Sequence, residues 1–200
     1  MTDDQLPVAQ EPAQAWHKHI NWWLLLIPPI SAGVGVLVSR MAPEFFQTLQ
    51  VQLEGPAPYM MFAVALLYGV RSVATWNRLC MVLTGLAAIF AMREFHWEWT
   101  HHGVYYMLAT LGVWALLWVK HLAGPLRDWR HTSWLIATFA AYVLSQVIAR
   151  RAFRVIPGEH HIHRSLEEWA EVTAHLMFLL AALVGYWPKA RKADQAAASA

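Results

Sequence analysis

Six apolar stretches follow one another with connections too short to hold a soluble domain, and this succession constrains the fold more than any motif does. They cover 20–39, 58–75, the fourteen uncharged residues from Leu79 to Met92, 103–119, 132–149 and 168–187. A run of about 20 apolar residues crosses a bilayer as a helix, because a helix satisfies its own backbone hydrogen bonds in hydrocarbon. Composition agrees. Of the residues 58% are apolar, only 14% are charged and twelve are tryptophan, too little charge to clothe a water-soluble domain of this length. The expected fold class is therefore all-α, a polytopic integral membrane protein with six transmembrane helices in a compact bundle over 16–188. Segments 1–15 and 189–200 lack periodicity and are expected to be disordered cytoplasmic tails. The first stretch is as long as a full span and follows a polar segment, so it reads as an uncleaved helix rather than a signal peptide.

Lys and Arg between the stretches set the orientation. With the N-terminus inside, Lys18, Arg71, Arg78, Lys120, Arg127, Arg130, Lys189, Arg191 and Lys192 face the cytoplasm. Arg40, Arg93, Arg150, Arg151, Arg154 and Arg164 face outward. The bias puts both termini in the cytoplasm, in the manner of a bacterial inner-membrane protein. Trp97, Trp99 and Trp169 fit an outer aromatic belt, and Trp22, Trp23, Trp76, Trp134 and Trp187 an inner one. Arg71 is expected to snorkel to the inner headgroups, with His121 and His131 bordering them. A net charge of +2 with scattered basic residues gives no nucleic-acid footprint. Cys80, the single cysteine, excludes an intramolecular disulfide and multi-cysteine metal motifs.

Against this apolar background, two clusters hold seven of the eleven histidines and six of the thirteen acids. One runs from Glu94 through His96, Glu98 and His101 to His102; the other comprises Glu159, His160, His161, His163, Glu167, Glu168, Glu171 and His175. The topology brings both to the same outer side. Uncompensated charge at such a depth is expensive, so partners are required. The third stretch covers only about 21 Å as helix against a hydrocarbon core of about 30 Å, which places Arg93 and Glu94 at or just below the interface. Ser165 three residues before Glu168 makes a capping-box pattern that accounts for Glu167 and Glu168, and a solvated loop accounts for His160, His161 and His163. Glu168, Glu171 and His175 share one helical face, with His175 roughly 10 Å deeper than Glu168. On the fifth stretch Thr138, Tyr142, Gln146 and Arg150 recur every four residues, leading to Arg150, Arg151 and Arg154 as charge partners for Glu94, Glu98 or Glu171.

These residues name no reaction, and several readings compete. A purely structural network of ion pairs is the plainest of them. Glu94, Glu98, His102, Glu171 and His175 form a set whose chemistry suits a divalent metal such as Zn, Mn or Fe, used on a membrane or periplasmic substrate. In that case Glu171, His175 and Glu94 are the catalytic candidates. The spacing of four between Glu171 and His175 departs from the di-iron bundle pattern, so that template does not transfer. A b-type haem is disfavoured, since only His175 is placed at depth by the sequence. A proton-coupled or ion-coupled transporter would use His175 as its titrating group. An accessory or scaffold subunit would use the outer cluster for docking. Membrane lipid, a second subunit or another copy of the chain are the expected partners. Pro28 and Pro29 interrupt the first stretch, and Ser31, Gly35 and Ser39 after them form a small-residue stripe suited to helix packing.

Overall fold

A computed structural model of the chain describes residues 20–95, 100–122, 124–151 and 159–184. Both expected tails lie outside the described residues, as do His96, Trp97, Glu98, Trp99, Arg154 and Trp187. Every regular element among the described residues is helical: α1 (Ile27–Met41), α2 (Pro43–Glu54), α3 (Ala57–Thr75), α4 (Arg78–Glu94), α5 (Thr100–Leu117), α6 (Val119–Leu122), α7 (Trp129–Ala149) and α8 (Glu159–Val184). Trp22–Met41, Ala57–Thr75 and Trp129–Ala149 are long and apolar enough to cross a membrane, and Gly103–Leu117 is a shorter apolar helix.

Local chemistry explains the boundaries. A 3-10 turn, Trp22–Leu26, leads into α1, so Pro28 and Pro29 fall in its first turn, where a missing N–H costs nothing. The prolines begin the α-helix rather than break it. α3 ends at Trp76 in the left-handed conformation (φ 51°), and the Asn77 side chain accepts from the Leu79 N–H at 2.9 Å to start α4. That two-residue connection makes α3 and α4 antiparallel neighbours. Asp128 caps α7 in the same way, accepting from the Arg130 N–H at 3.2 Å.

The distribution of apolar and polar groups is compatible with a membrane environment. On α3 the inward face is Ala57, Met61, Val64, Tyr68, Arg71 and Ser72, while Phe62, Leu66, Val70 and Val73 on the other face stand more than half exposed. A helix apolar on both faces fits hydrocarbon outside as well as a core inside. α8 is the central element, packed against α1, α2, α3 and α7; α5 lies at the periphery against α4. Small residues let α7 and α8 approach closely, with Ala137 and Ala141 meeting Ala174 and Met177. Met61, Val64, Leu83, Ala87, Phe178 and Ala182 fill the space among α3, α4 and α8.

Three expectations change here. The connection after Arg40 holds α2, whose Phe46 is buried against the Trp169 ring at 5.8 Å while Phe45 and Val51 are exposed. Ser165 lies inside α8, which begins at Glu159, so it does not start that helix, and Glu168 accepts from Arg164 Nε at 3.1 Å one turn away. Trp169 is half-buried and turned toward α1, where its indole N–H donates to the Ser31 carbonyl and hydroxyl, both at 3.0 Å. Ser31 also bonds Thr173 at 2.8 Å, and Gly35 faces Trp169 and Leu166, so the small-residue stripe is a packing surface for α8.

Candidate functional site

Arg164, Glu167, Glu168, Glu171 and His175 recur along α8 at helical spacing and line one cavity of about 880 Å³. Arg93 and Glu94 reach it from the last turn of α4, Arg151 from the end of α7, and Ala57, Pro58 and Tyr59 from the start of α3. The Arg93 guanidinium donates to Glu171 Oε1 at 2.6 Å. Charge-assisted bonds of this length are the strong class, and this one ties α4 to α8. His175 is 2% exposed, with Nε2 at 3.6 Å from Glu94 Oε1, just beyond hydrogen-bond reach. The edge of the Tyr142 ring packs on its imidazole at 5.7 Å. Tyr142 in turn stacks on Phe90 at 4.6 Å and points its hydroxyl at Met61 Sδ, 3.5 Å away. An aromatic wall thus holds the imidazole at the buried side of the cavity.

His163, expected in a solvated loop, is half-buried on α8 and bonds the Ile148 carbonyl through Nε2 at 2.9 Å. A carbonyl only accepts, so Nε2 carries the proton. The bond adds a second donor to an end-of-helix carbonyl of α7 that already accepts from the Arg151 N–H at 2.8 Å, and fixes α8 beside it. Arg151 takes φ 53° and leaves the helix in the left-handed conformation. This turn separates two adjacent arginines: Arg151 lines the polar cavity, whereas Arg150 lines a shallow apolar crevice with Phe139, Val143 and Gln146. Burial pushes the Glu167 carboxyl above its usual range; Glu171 adds to this, and His163, Arg93 and Arg164 pull it back.

The structure therefore brings Glu94, Glu171, His175 and Arg151 around one cavity and leaves Arg150 outside it. The guanidinium partner of Glu171 is Arg93 rather than Arg150, because Gln146 and Arg150 turn to the exposed side of α7 while Thr138 and Tyr142 turn inward. Glu98 and Arg154 fall outside the described residues, and the side chains of His101, His102, His160 and His161 are likewise not described. Among the described residues no three His, Cys, Asp or Glu side chains are placed to hold a metal ion. Of the expected metal set, the described side chains are Glu171, turned to Arg93, and Glu94 beside His175.

No family model, curated protein or solved structure matches the chain.

A second buried polar group lies at the opposite end of the bundle, where the sequence pointed only to headgroup contacts. Arg71 is 1% exposed rather than snorkelling, with its guanidinium carbon 5.7 Å from the Tyr68 ring centroid. His131 is 5% exposed and bonds the Tyr68 hydroxyl through Nε2 at 2.8 Å. Arg78 stacks on Trp118 at 3.2 Å. The overlooked signal is that Met61, Val64, Tyr68 and Arg71 share one helical face, which turns Arg71 inward with the core. Tyr68→Phe leaves His131 Nε2 buried without its partner and is expected to cost about 1 kcal/mol, read as a lowered midpoint of thermal unfolding in detergent.

Proposed function

We propose that the chain is a six-span inner-membrane protein with both termini cytoplasmic, whose outward-facing cavity binds a polar small molecule reached from the membrane or the periplasm. The observation that carries this reading is the cavity itself, polar on the α8 side and joined to a buried imidazole that faces a carboxylate. An imidazole and a carboxylate at this separation suit acceptance of a proton from a bound ligand. The number of spans draws support from direction. The starts of α3 and α8 and the ends of α4 and α7 surround one cavity, as alternating passages require. α4 has 17 residues, about 25 Å of helix, and a polar cavity at its end shortens the hydrocarbon that it must cross. The Lys and Arg bias turns that end outward.

Thiol labelling tests the orientation and the access of water together. In a Cys80→Ala background, single cysteines are placed at Glu167, on the cavity wall, and at Trp76, which is 80% exposed at the far end of α3. An impermeant maleimide applied to intact cells is expected to modify the Glu167→Cys protein and to reach the Trp76→Cys protein only after permeabilisation. The reverse pattern would overturn the orientation. A Glu167→Cys protein that resists labelling even in permeabilised cells would show the cavity closed to water.

A further inference from the structure

Most charges in the cavity engage one another: Arg93 with Glu171 at 2.6 Å, Arg164 with Glu168 at 3.1 Å, and His175 facing Glu94 at 3.6 Å. Glu167 and Arg151 make no such direct contact, and Glu167 meets Arg93, Arg164 and His163 only through longer-range attraction. Both line the cavity, they carry opposite signs, and among the described residues neither side chain makes an ion pair or hydrogen bond. A ligand that completes the site therefore brings a cation to one wall and an anion to another. Arginine matches the geometry of a phosphate, and a carboxylate matches an ammonium.

The rim indicates how such a ligand arrives. Val51, Ala57, Pro58 and Tyr59 form its apolar side, with Val51 68% and Tyr59 73% exposed. They belong to α2 and the start of α3, and α2 also exposes Phe45 at 60% while it buries Phe46. The same helix exposes Glu44, Gln47 and Gln52, and this mixture of apolar and polar surface suits the boundary of hydrocarbon and headgroups. The polar cavity thus opens at headgroup depth beside a surface that acyl chains can cross without leaving the bilayer.

We propose that the cavity takes a zwitterionic headgroup with one ammonium and one phosphate on a short linker, the ammonium at Glu167 and the phosphate at Arg151, as in an amine-bearing phospholipid. This rests on the cavity being a ligand site and is independent of the side of the membrane that it faces. A soluble phosphoethanolamine compound shares the chemistry and lacks only the acyl chains.

The test uses the purified full-length chain in detergent, with binding measured for phosphatidylethanolamine, phosphatidylglycerol and free glycerophosphoethanolamine. Phosphatidylethanolamine is expected to bind about tenfold or more tightly than phosphatidylglycerol, which has the phosphate without the amine. Glu167→Gln is expected to remove that preference by weakening phosphatidylethanolamine about tenfold without weakening phosphatidylglycerol, while Arg151→Gln weakens both lipids about tenfold. Binding of the free compound with the same dependence on Glu167 would support the same chemistry from a soluble source; binding of the lipid alone would assign the source to the bilayer. Equal binding of the two lipids to the unaltered protein overturns the proposal, and that comparison needs no variant. So does an unchanged preference in folded Glu167→Gln protein. Failure of the labelling experiment with success here removes only the orientation, and the converse removes only the ligand class.

Discussion

Arg93→Ala is expected to lower the stability of the bundle by about 2 kcal/mol, between the cost of breaking a buried ion pair and that of losing an exposed one. The intermediate figure follows from exposure, 40% for the Arg93 side chain and 15% for that of Glu171. The loss comes less from the missing attraction than from what remains. Glu171 would stay half-buried in a cavity that also holds Glu94, Glu167 and Glu168, with its 2.6 Å partner gone. Arg93→Lys is expected to recover part of the loss, because an ammonium supplies the charge without the guanidinium fork. Arg93→Gln combined with Glu171→Gln is expected to recover most of it, since a neutral pair leaves no buried charge uncompensated. Thermal unfolding of the three variants in detergent decides between pairing and packing. A double variant as unstable as Arg93→Ala would mean that the guanidinium acts through its contacts and not through its charge.

The all-helical fold was legible because hydropathy reports length and polarity, the two properties that decide whether a segment can be a helix in lipid. Rotation about the helix axis was less legible. Arg71 and His131 sit near helix ends, where long polar side chains usually reach headgroups, and only the period linking Met61, Val64, Tyr68 and Arg71 tells that this face turns inward. α2 escaped notice for a related reason. Its mixture of Gln, Glu and apolar residues averages to a modest hydropathy, and among its described side chains Phe46, against Trp169, is the one fully buried.

In the site, the meeting of Glu94 with Glu171 and His175 was readable from topology, since their helices end on one side. The choice of arginine was not. Arg150 has the right spacing on α7, but the left-handed turn at Arg151 and the His163 bond to Ile148 decide which arginine faces the cavity, and neither can be read from periodicity. The capping-box pattern at Ser165 misled in a similar way. A local motif predicts a helix start only where the preceding residues are not themselves helical, and α8 had begun at Glu159. Discounting Glu167 as a capping residue hid the one carboxylate that the cavity leaves unengaged among the described residues.

Gly35→Leu is expected to be the most damaging single substitution outside the cavity, at about 3 kcal/mol or more. A Cβ on Gly35 would lie 3.1 Å from Trp169 Cδ1 and 3.2 Å from Leu166 Cδ1, closer than ordinary contact, before any further carbon is added. The three remaining carbons of leucine must displace the Trp169 ring. That ring cannot yield freely, because its N–H is held by Ser31 at 3.0 Å and its face meets Phe46. Gly35→Ala needs a shift of a few tenths of an ångström and is expected to cost about 1 kcal/mol. Gly33→Leu is the control, since nothing lies within 4 Å of its Cβ position, and the better helix propensity of leucine leaves stability unchanged or slightly raised. The consequence extends to the site. Moving α8 away from α1 shifts the face that carries Arg164, Glu167, Glu171 and His175 relative to Arg93 and Glu94, so Gly35→Leu protein is expected to lose both thermal stability and headgroup binding, whereas Gly33→Leu protein keeps both. Equal unfolding midpoints for the two leucine variants would mean that α1 and α8 do not meet along this stripe.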